Sequence, residues 1–152
     1  MALFLSRSIR RLMADESMTN GAAGRIDVEV VAVPCVASSS AHTDMLTRLD
    51  AETGVTGHVP RVLSQGDEEG VEMQKYRFGR PSKALFDTWE MVQRETGVDF
   101  DLLYAPRAWQ LLMRHDLWTN DDFNVMYYHC GGLEGNDSMM KRYMRIKNRS
   151  SS

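Results

Sequence analysis

Asn124-Val-Met-Tyr-Tyr-His-Cys-Gly-Gly-Leu-Glu-Gly-Asn-Asp-Ser-Met-Met-Lys-Arg-Tyr143 is the stretch that decides the fold, because it reads in order as a buried strand, a glycine turn and a helix start. Gly131 and Gly132 remove side chains where the strand ends, which permits positive φ and the close approach of a ligand to bare backbone. Gly135-Asn136-Asp137 then reopens the chain into a helix. A plain βα connection needs the same glycines, and no phosphate-binding fingerprint accompanies them.

The strand of this junction is predicted over Phe123 to His129. Its helix buries Met139, Met140, Tyr143 and Met144 and carries Lys141, Arg142, Arg145 and Lys147 on the outer face, suited to the C-terminal dipole. Upstream, Pro106 opens a helix that buries Ala108, Leu111 and Leu112 with Trp109 at one edge, and Val98 to Tyr104 predicts a short strand before it. Pro81 to Gly97 is the clearest helix: Leu85, Phe86, Trp89 and Val92 share a face, Pro81 stands near the start and Gly97 closes it. Val55 to Lys75 reads as loop, broken by Gly57, Pro60, Gly66 and Gly70. Ser38 to Ser40 cap a short helix with Met45, Leu46 and Leu49, which stops at Gly54. Ile26 to Cys35 is rich in β-branched residues, ends at Pro34-Cys35 and predicts the first strand; a polar connection over Asp15 to Arg25 precedes it.

Met1 to Met13 has two readings. Arg7, Arg10 and Arg11 alternate with Leu3, Phe4, Leu5, Ile9 and Leu12 without an acid, as in a mitochondrial presequence. Alternatively Leu5, Ile9 and Leu12 form the apolar face of a helix that packs on a sheet.

The order helix, strand, helix, helix, strand, helix, strand, helix is α/β, so a mostly parallel sheet flanked by helices is expected. One domain is expected over residues 1–147, with a disordered tail at 148–152. Three parallel strands needing helices on both faces make a marginal unit, so the chain is read as part of a larger fold.

Composition narrows the function classes. Eighteen Lys and Arg against 21 Asp and Glu give a net charge of -3, with no basic stripe beyond the two ends, which argues against a nucleic-acid partner. Cys35 and Cys130 are far apart, so neither a disulfide framework nor a zinc ribbon is suggested, and a reducing intracellular setting fits best. The longest apolar run, Val28 to Ala37, falls far short of the roughly 20 residues of a membrane span, so a soluble chain with no membrane partner is expected.

Ligands of parallel α/β sheets lie beyond the carboxyl ends of strands, and the three expected exits carry Pro34-Cys35, Tyr104-Ala105-Pro106 and His129-Cys-Gly-Gly132. Tyr104 offers a phenolic acid/base or a stacking ring, or is a buried tyrosine with a satisfied hydroxyl. His129 offers an acid/base group, or a hydrogen-bonded core position after four apolar or aromatic residues. A Cys130–His129 nucleophile pair is disfavoured because adjacent strand positions point to opposite faces. Cys35, Cys130, His42 and His129 have no metal-ligand spacing, so no metal is expected. Lys83, one turn into its helix and near Asp87, reads as a solvated lysine rather than a Schiff-base residue.

Val31-Ala-Val-Pro-Cys35, Lys75-Tyr-Arg-Phe-Gly-Arg-Pro81, Phe100-Asp-Leu-Leu-Tyr104 and Tyr128-His-Cys-Gly-Gly-Leu-Glu-Gly-Asn136, spread over about two thirds of the chain and in order, carry a family resemblance. Together they resemble the C-terminal half of the pyridoxal-phosphate enzymes that include 1-aminocyclopropane-1-carboxylate deaminase and D-cysteine desulfhydrase. The resemblance implies part of a tryptophan synthase β-like fold of type II. It implies Tyr104 as the catalytic residue approaching substrate and cofactor, and His129, Cys130, Gly131 and Gly132 as cofactor-binding residues. Cys130 stands where a small residue such as threonine lies near the pyridine nitrogen. Ala105 stands where the deaminases carry a ring-contacting glutamate, a departure from their pattern. Ala2-Leu-Phe-Leu-Ser-Arg7 resembles the helix that follows the family's phosphate loop, which favours the core-helix reading of the N-terminus.

What the resemblance implies is the C-terminal portion of a deaminase or desulfhydrase acting on a small amino acid. That portion is expected to be inactive alone, since no residue matches the cofactor lysine or the phosphate loop. The alternative expectation is a non-catalytic interaction or structural protein that retains part of the fold. Self-association through exposed sheet edges and a cytosolic setting, with a mitochondrial one as the alternative, complete the expectations.

Overall fold

Helix α1 (Ala2–Ala14) forms where the sequence places it, but lies on an unexpected face. The structure, a computed structural model, describes residues 1–14, 27–54, 56–65, 77–117 and 124–149. Leu3, Ser6 and Arg7 are the buried residues of α1, whereas Leu5 and Ile9 are half-buried and Leu12 is 56% exposed. An ion pair explains the rotation. The Arg7 guanidinium donates to Asp50 Oδ1 at 2.6 Å through Nη2 and at 3.2 Å through Nε, and also to the Asp50 carbonyl at 3.1 Å and to Thr53 Oγ1. A buried guanidinium needs its partner, so α1 turns Arg7 inward and gives up the face that apolar periodicity predicts. Burial pushes the Asp50 carboxyl up, but the Arg7 hydrogen bonds, the His58 backbone N–H and the Arg7 charge prevail and hold it below the ordinary carboxylate value.

Residues 1–65 form one compact unit and residues 66–152 a second. In the first, α1 is followed by β1 (Val31–Ala32), α2 (Ser39–Glu52) and β2 (Arg61–Val62). Ser38 Oγ accepts the Ala41 N–H at 3.2 Å, so the predicted serine cap is in place, and Gly54 adopts φ 69° just past the helix end. β1 and β2 pair in parallel, Val31 with Arg61 and Ala32 with Val62. The Leu63 N–H extends the pairing to the Ala32 carbonyl at 3.0 Å, and Glu29 and Arg61 form an exposed ion pair at 2.8 Å beside it. Leu3, Ala32 and Leu46 make the core of this unit.

The second unit contains α3 (Lys83–Thr96), α4 (Ala105–Arg114), a 3-10 turn (Leu133–Gly135) and α5 (Asn136–Arg149). Ser82 Oγ accepts the Leu85 N–H to start α3, and Gly97, at φ 68°, ends it in the left-handed region. Helix α3 packs along both α4 and α5. Leu85, Phe86, Leu102, Met139 and Tyr143 form the core, with Trp89, Leu103 and Met140 half-buried against it. Met144, expected on the buried face, is 40% exposed, and α5 includes residues 148 and 149, which the sequence assigns to a tail.

Burial lifts the Tyr143 hydroxyl from 10.0 to about 12, against the opposing charge of Arg142. The folded form therefore holds this proton more tightly than the unfolded chain. Stability of the second unit is expected to fall as pH rises from 10.0 towards about 12, and Tyr143→Phe is expected to flatten that decline in chemical denaturation curves.

Among the described residues the chain is thus a helix-rich mixed α/β protein with a small two-stranded parallel sheet. Four sequence expectations about strands are corrected. The first strand is two residues long rather than spanning Ile26 to Cys35, and its partner Arg61–Val62 falls in the segment expected to be loop. Val98 to Tyr104 is not a strand, and neither are the described residues of Phe123 to His129. The second keeps strand-like alternating burial without a ladder, whereas Phe100, Asp101 and Leu102 of the first are buried in succession. Val125, Tyr127 and His129 turn inward while Met126, Tyr128 and Cys130 turn outward, but side chains of the second unit take backbone groups that a neighbouring strand would otherwise take. The Asn136 amide accepts the Leu102 N–H at 2.8 Å and donates to the Phe100 carbonyl at 3.0 Å, and the Trp89 indole donates to that same carbonyl at 2.9 Å. Among the described residues, no helix is long and apolar enough to cross a membrane.

Candidate functional site

Asp101 organises the second unit's site, and the sequence reading passed over it. It sits between Phe100 and Leu102 and is only 3% exposed. Its Oδ1 accepts the backbone N–H groups of Leu103, at 2.9 Å, and Tyr104, at 2.5 Å, and its Oδ2 accepts that of Ala105 at 3.2 Å. The Ala105 N–H opens the first turn of α4 and has no helical partner, the other two donors stand just before it, and a carboxylate there is also favoured by the helix dipole. The legible signal was an aspartate a few residues ahead of a proline-opened helix, a capping arrangement.

Asp101 also holds His129. The His129 Nε2 lies 3.0 Å from Asp101 Oδ2, and the Asp101 backbone N–H points at the same nitrogen at 3.4 Å, a donor that Nε2 accepts only when unprotonated. The shorter contact is best made by Nε2–H donating to the carboxylate. The imidazole is edge-on to the Phe100 ring at 5.4 Å, and Tyr127 continues the cluster to Trp109 with rings 5.1 Å apart. His129 is therefore a hydrogen-bonded, half-buried residue.

Gly131 rests directly on this carboxylate: a Cβ there would stand 2.4 Å from Asp101 Oδ2 and 2.7 Å from its Cγ. Asp101 cannot give way without losing its contacts to α4 and His129. Gly131→Ala is accordingly expected to destabilise the second unit by about 1–3 kcal/mol in urea titrations. At Gly132 the nearest obstacle is Glu134 Oε2, the end of an exposed flexible side chain, so Gly132→Ala should stay within about 0.5 kcal/mol of the parent.

A cavity of about 350 Å³ opens beside these residues, lined by Tyr104, Phe78, Asp101, Gly132, Asn136 and Arg142 among others. The Tyr104 ring is 41% exposed and tilts against Phe78 at 5.3 Å. Of the five sequence-predicted site residues, Tyr104 and Gly132 line the cavity. His129 and Gly131 stand behind it against Asp101, and Cys130 is exposed with its thiol 3.6 Å from the Tyr128 carbonyl. Arg142 is the one cation of the described lining. Lys83 is exposed and paired with Asp87 at 2.6 Å, as its position on α3 implies.

The first unit offers less. At the carboxyl end of β1, the Pro34 and Ala37 carbonyls are both taken by the Gln65 amide, and Ser39 Oγ donates to the Leu63 carbonyl, so protein groups fill that exit. A hollow of about 610 Å³ bordered by Ser6, Arg10, Glu29 and Arg61 lies before the strands, at the end opposite to where parallel sheets bind ligands. Among the described residues, no three His, Cys, Asp or Glu side chains are placed to share a metal ion. No family model, curated protein or solved structure matches the chain.

Proposed function

We propose that this chain is the C-terminal portion of a pyridoxal-phosphate-dependent deaminase or desulfhydrase of tryptophan synthase β-like fold, acting on a small amino acid of the 1-aminocyclopropane-1-carboxylate or D-cysteine class. One observation carries the reading. Tyr104 and Gly132, from two of the segments that bear the resemblance and 28 positions apart, line one cavity of about 350 Å³. Pyridoxal phosphate, when bound in such enzymes, supplies the electron sink for carbanion chemistry.

The residues present do not by themselves hold that group. No lysine belongs to the described lining of the cavity, and Lys83 is turned to solvent on Asp87. The chain furnishes a wall: an aromatic pair, Phe78 and Tyr104, the backbone at Gly132, and the Arg142 guanidinium. It is inactive alone under this reading and is completed by a segment bearing the cofactor lysine and the phosphate loop. The setting is intracellular and cytosolic, with a mitochondrial one as the alternative.

A second reading, a non-catalytic docking protein, is favoured by the N-terminal segment, where Met1 and the α1 residues Phe4 and Leu12 are 71%, 55% and 56% exposed. Complementation separates the two. Mixed with the N-terminal half of a family enzyme, the chain is expected to release ammonia or sulfide from a substrate of this class, and Tyr104→Phe is expected to diminish the yield. Folded halves that associate without any turnover would leave the docking reading instead.

A further inference from the structure

We propose that Asp101 is the positioning residue of this site, one buried carboxylate that fixes the backbone of Tyr104 and the tautomer of His129 together. The inference deepens the reading of the same cavity, on which its functional meaning rests. All five residues that the sequence singles out lie on two segments, 101–105 and 129–132. Asp101 joins them: it takes three backbone N–H groups from the first, takes His129 from the second, and has Gly131 against it closely enough to exclude a Cβ.

The carboxylate sets the direction of each bond. It is acceptor-only when ionised, so both oxygens are suited to the donors around them, and His129 satisfies Oδ2, the nearer of its two contacts, by presenting Nε2–H. An asparagine at this position has the same shape but one acceptor and one donor. With its oxygen retained by the Leu103 and Tyr104 N–H groups, its NH₂ would face both the Ala105 N–H and His129. Nε2 would then meet two donors, that NH₂ and the residue's own backbone N–H at 3.4 Å, and the imidazole would move its proton to Nδ1. The Ala105 N–H loses its acceptor at the same time, which shifts the backbone that carries Tyr104.

Long-range proton–nitrogen spectra of the whole chain in alkaline buffer read this directly. The parent is expected to show His129 Nε2 in the protonated, pyrrole-type range. Asp101→Asn is expected to move it to the unprotonated, pyridine-type range and to shift the Tyr104 and Ala105 amides, while the Tyr143 amide stays in place. A residue with a merely structural role would lower the melting temperature without moving the proton. An unchanged His129 tautomer and unchanged Tyr104 amide in folded Asp101→Asn would overturn the assignment.

If Asp101→Asn does not fold, His129 is varied instead. His129→Gln keeps an N–H donor for Oδ2 and is expected to leave the Tyr104 amide near its parent position, whereas His129→Leu is expected to displace it. Equal displacement, or none, in both variants would contradict the coupling. None of these readouts involves cofactor or turnover, so the positioning role and the enzymatic reading stand or fall separately.

Discussion

Asp101→Ala is expected to destabilise residues 66–152 by about 2–4 kcal/mol, from a lost helix cap and a stranded buried donor on His129. Three N–H groups at the start of α4 and the His129 Nε2–H share this carboxylate, and alanine offers none of them an acceptor. Some relief comes from no longer burying a charge, which keeps the estimate below a plain sum. Tryptophan fluorescence in urea measures it cleanly, since Trp89 and Trp109 belong to the second unit and residues 1–65 contain no tryptophan. The Trp89 indole donates to the carbonyl of Phe100, next to Asp101, so its emission reports the affected segment. A midpoint unchanged from the parent would mean that water replaces the carboxylate without cost.

Leu102→Ala is expected to cost about 2–5 kcal/mol, the range for removing a leucine from a packed interior. Leu102 is 1% exposed and packs in the cluster of Leu85, Phe86, Met139 and Tyr143, so truncation opens a hole between α3 and α5. The upper part of the range is favoured because the segment has little freedom to collapse. Its N–H is tied to Asn136 and the preceding carbonyl of Phe100 to Trp89 and Asn136. By comparison, Val98→Ala, at 48% exposure before this segment, is expected to stay within about 0.5 kcal/mol. Equal midpoints for the two variants would show that Leu102 is not central to this core.

Helices were the legible part of the fold. Ser38 as a cap, Gly97 as a left-handed stop and Pro106 in a first turn are local chemistry, and local chemistry is written in adjacent residues. The face of α1 was not legible, because Arg7 is turned inward by Asp50, a partner 43 positions away that periodicity does not register. The strands failed for a related reason. Alternating burial at Val125 to Cys130 is the strand signal, yet a strand also needs a neighbour, and around Phe100 to Leu102 that place is taken by the Asn136 amide and the Trp89 indole. The residues near the glycine junction were found by type, whereas Asp101 was hidden inside an apolar run that read as a strand. Its role appears only once His129 and Gly131 are brought against it.

Under the proposed function, Tyr104 and Gly132 form one wall of a pyridoxal-phosphate site. The most direct measurement is a titration of the labelled chain with phosphopyridoxyl-alanine, a reduced cofactor–amino acid adduct that needs no lysine, followed by amide and tyrosine-ring shifts. Weak, saturable changes centred on Tyr104, Gly132 and Asn136, reduced by Arg142→Ala, are expected. Changes scattered over the surface, or none at these residues at saturating adduct, would contradict that reading.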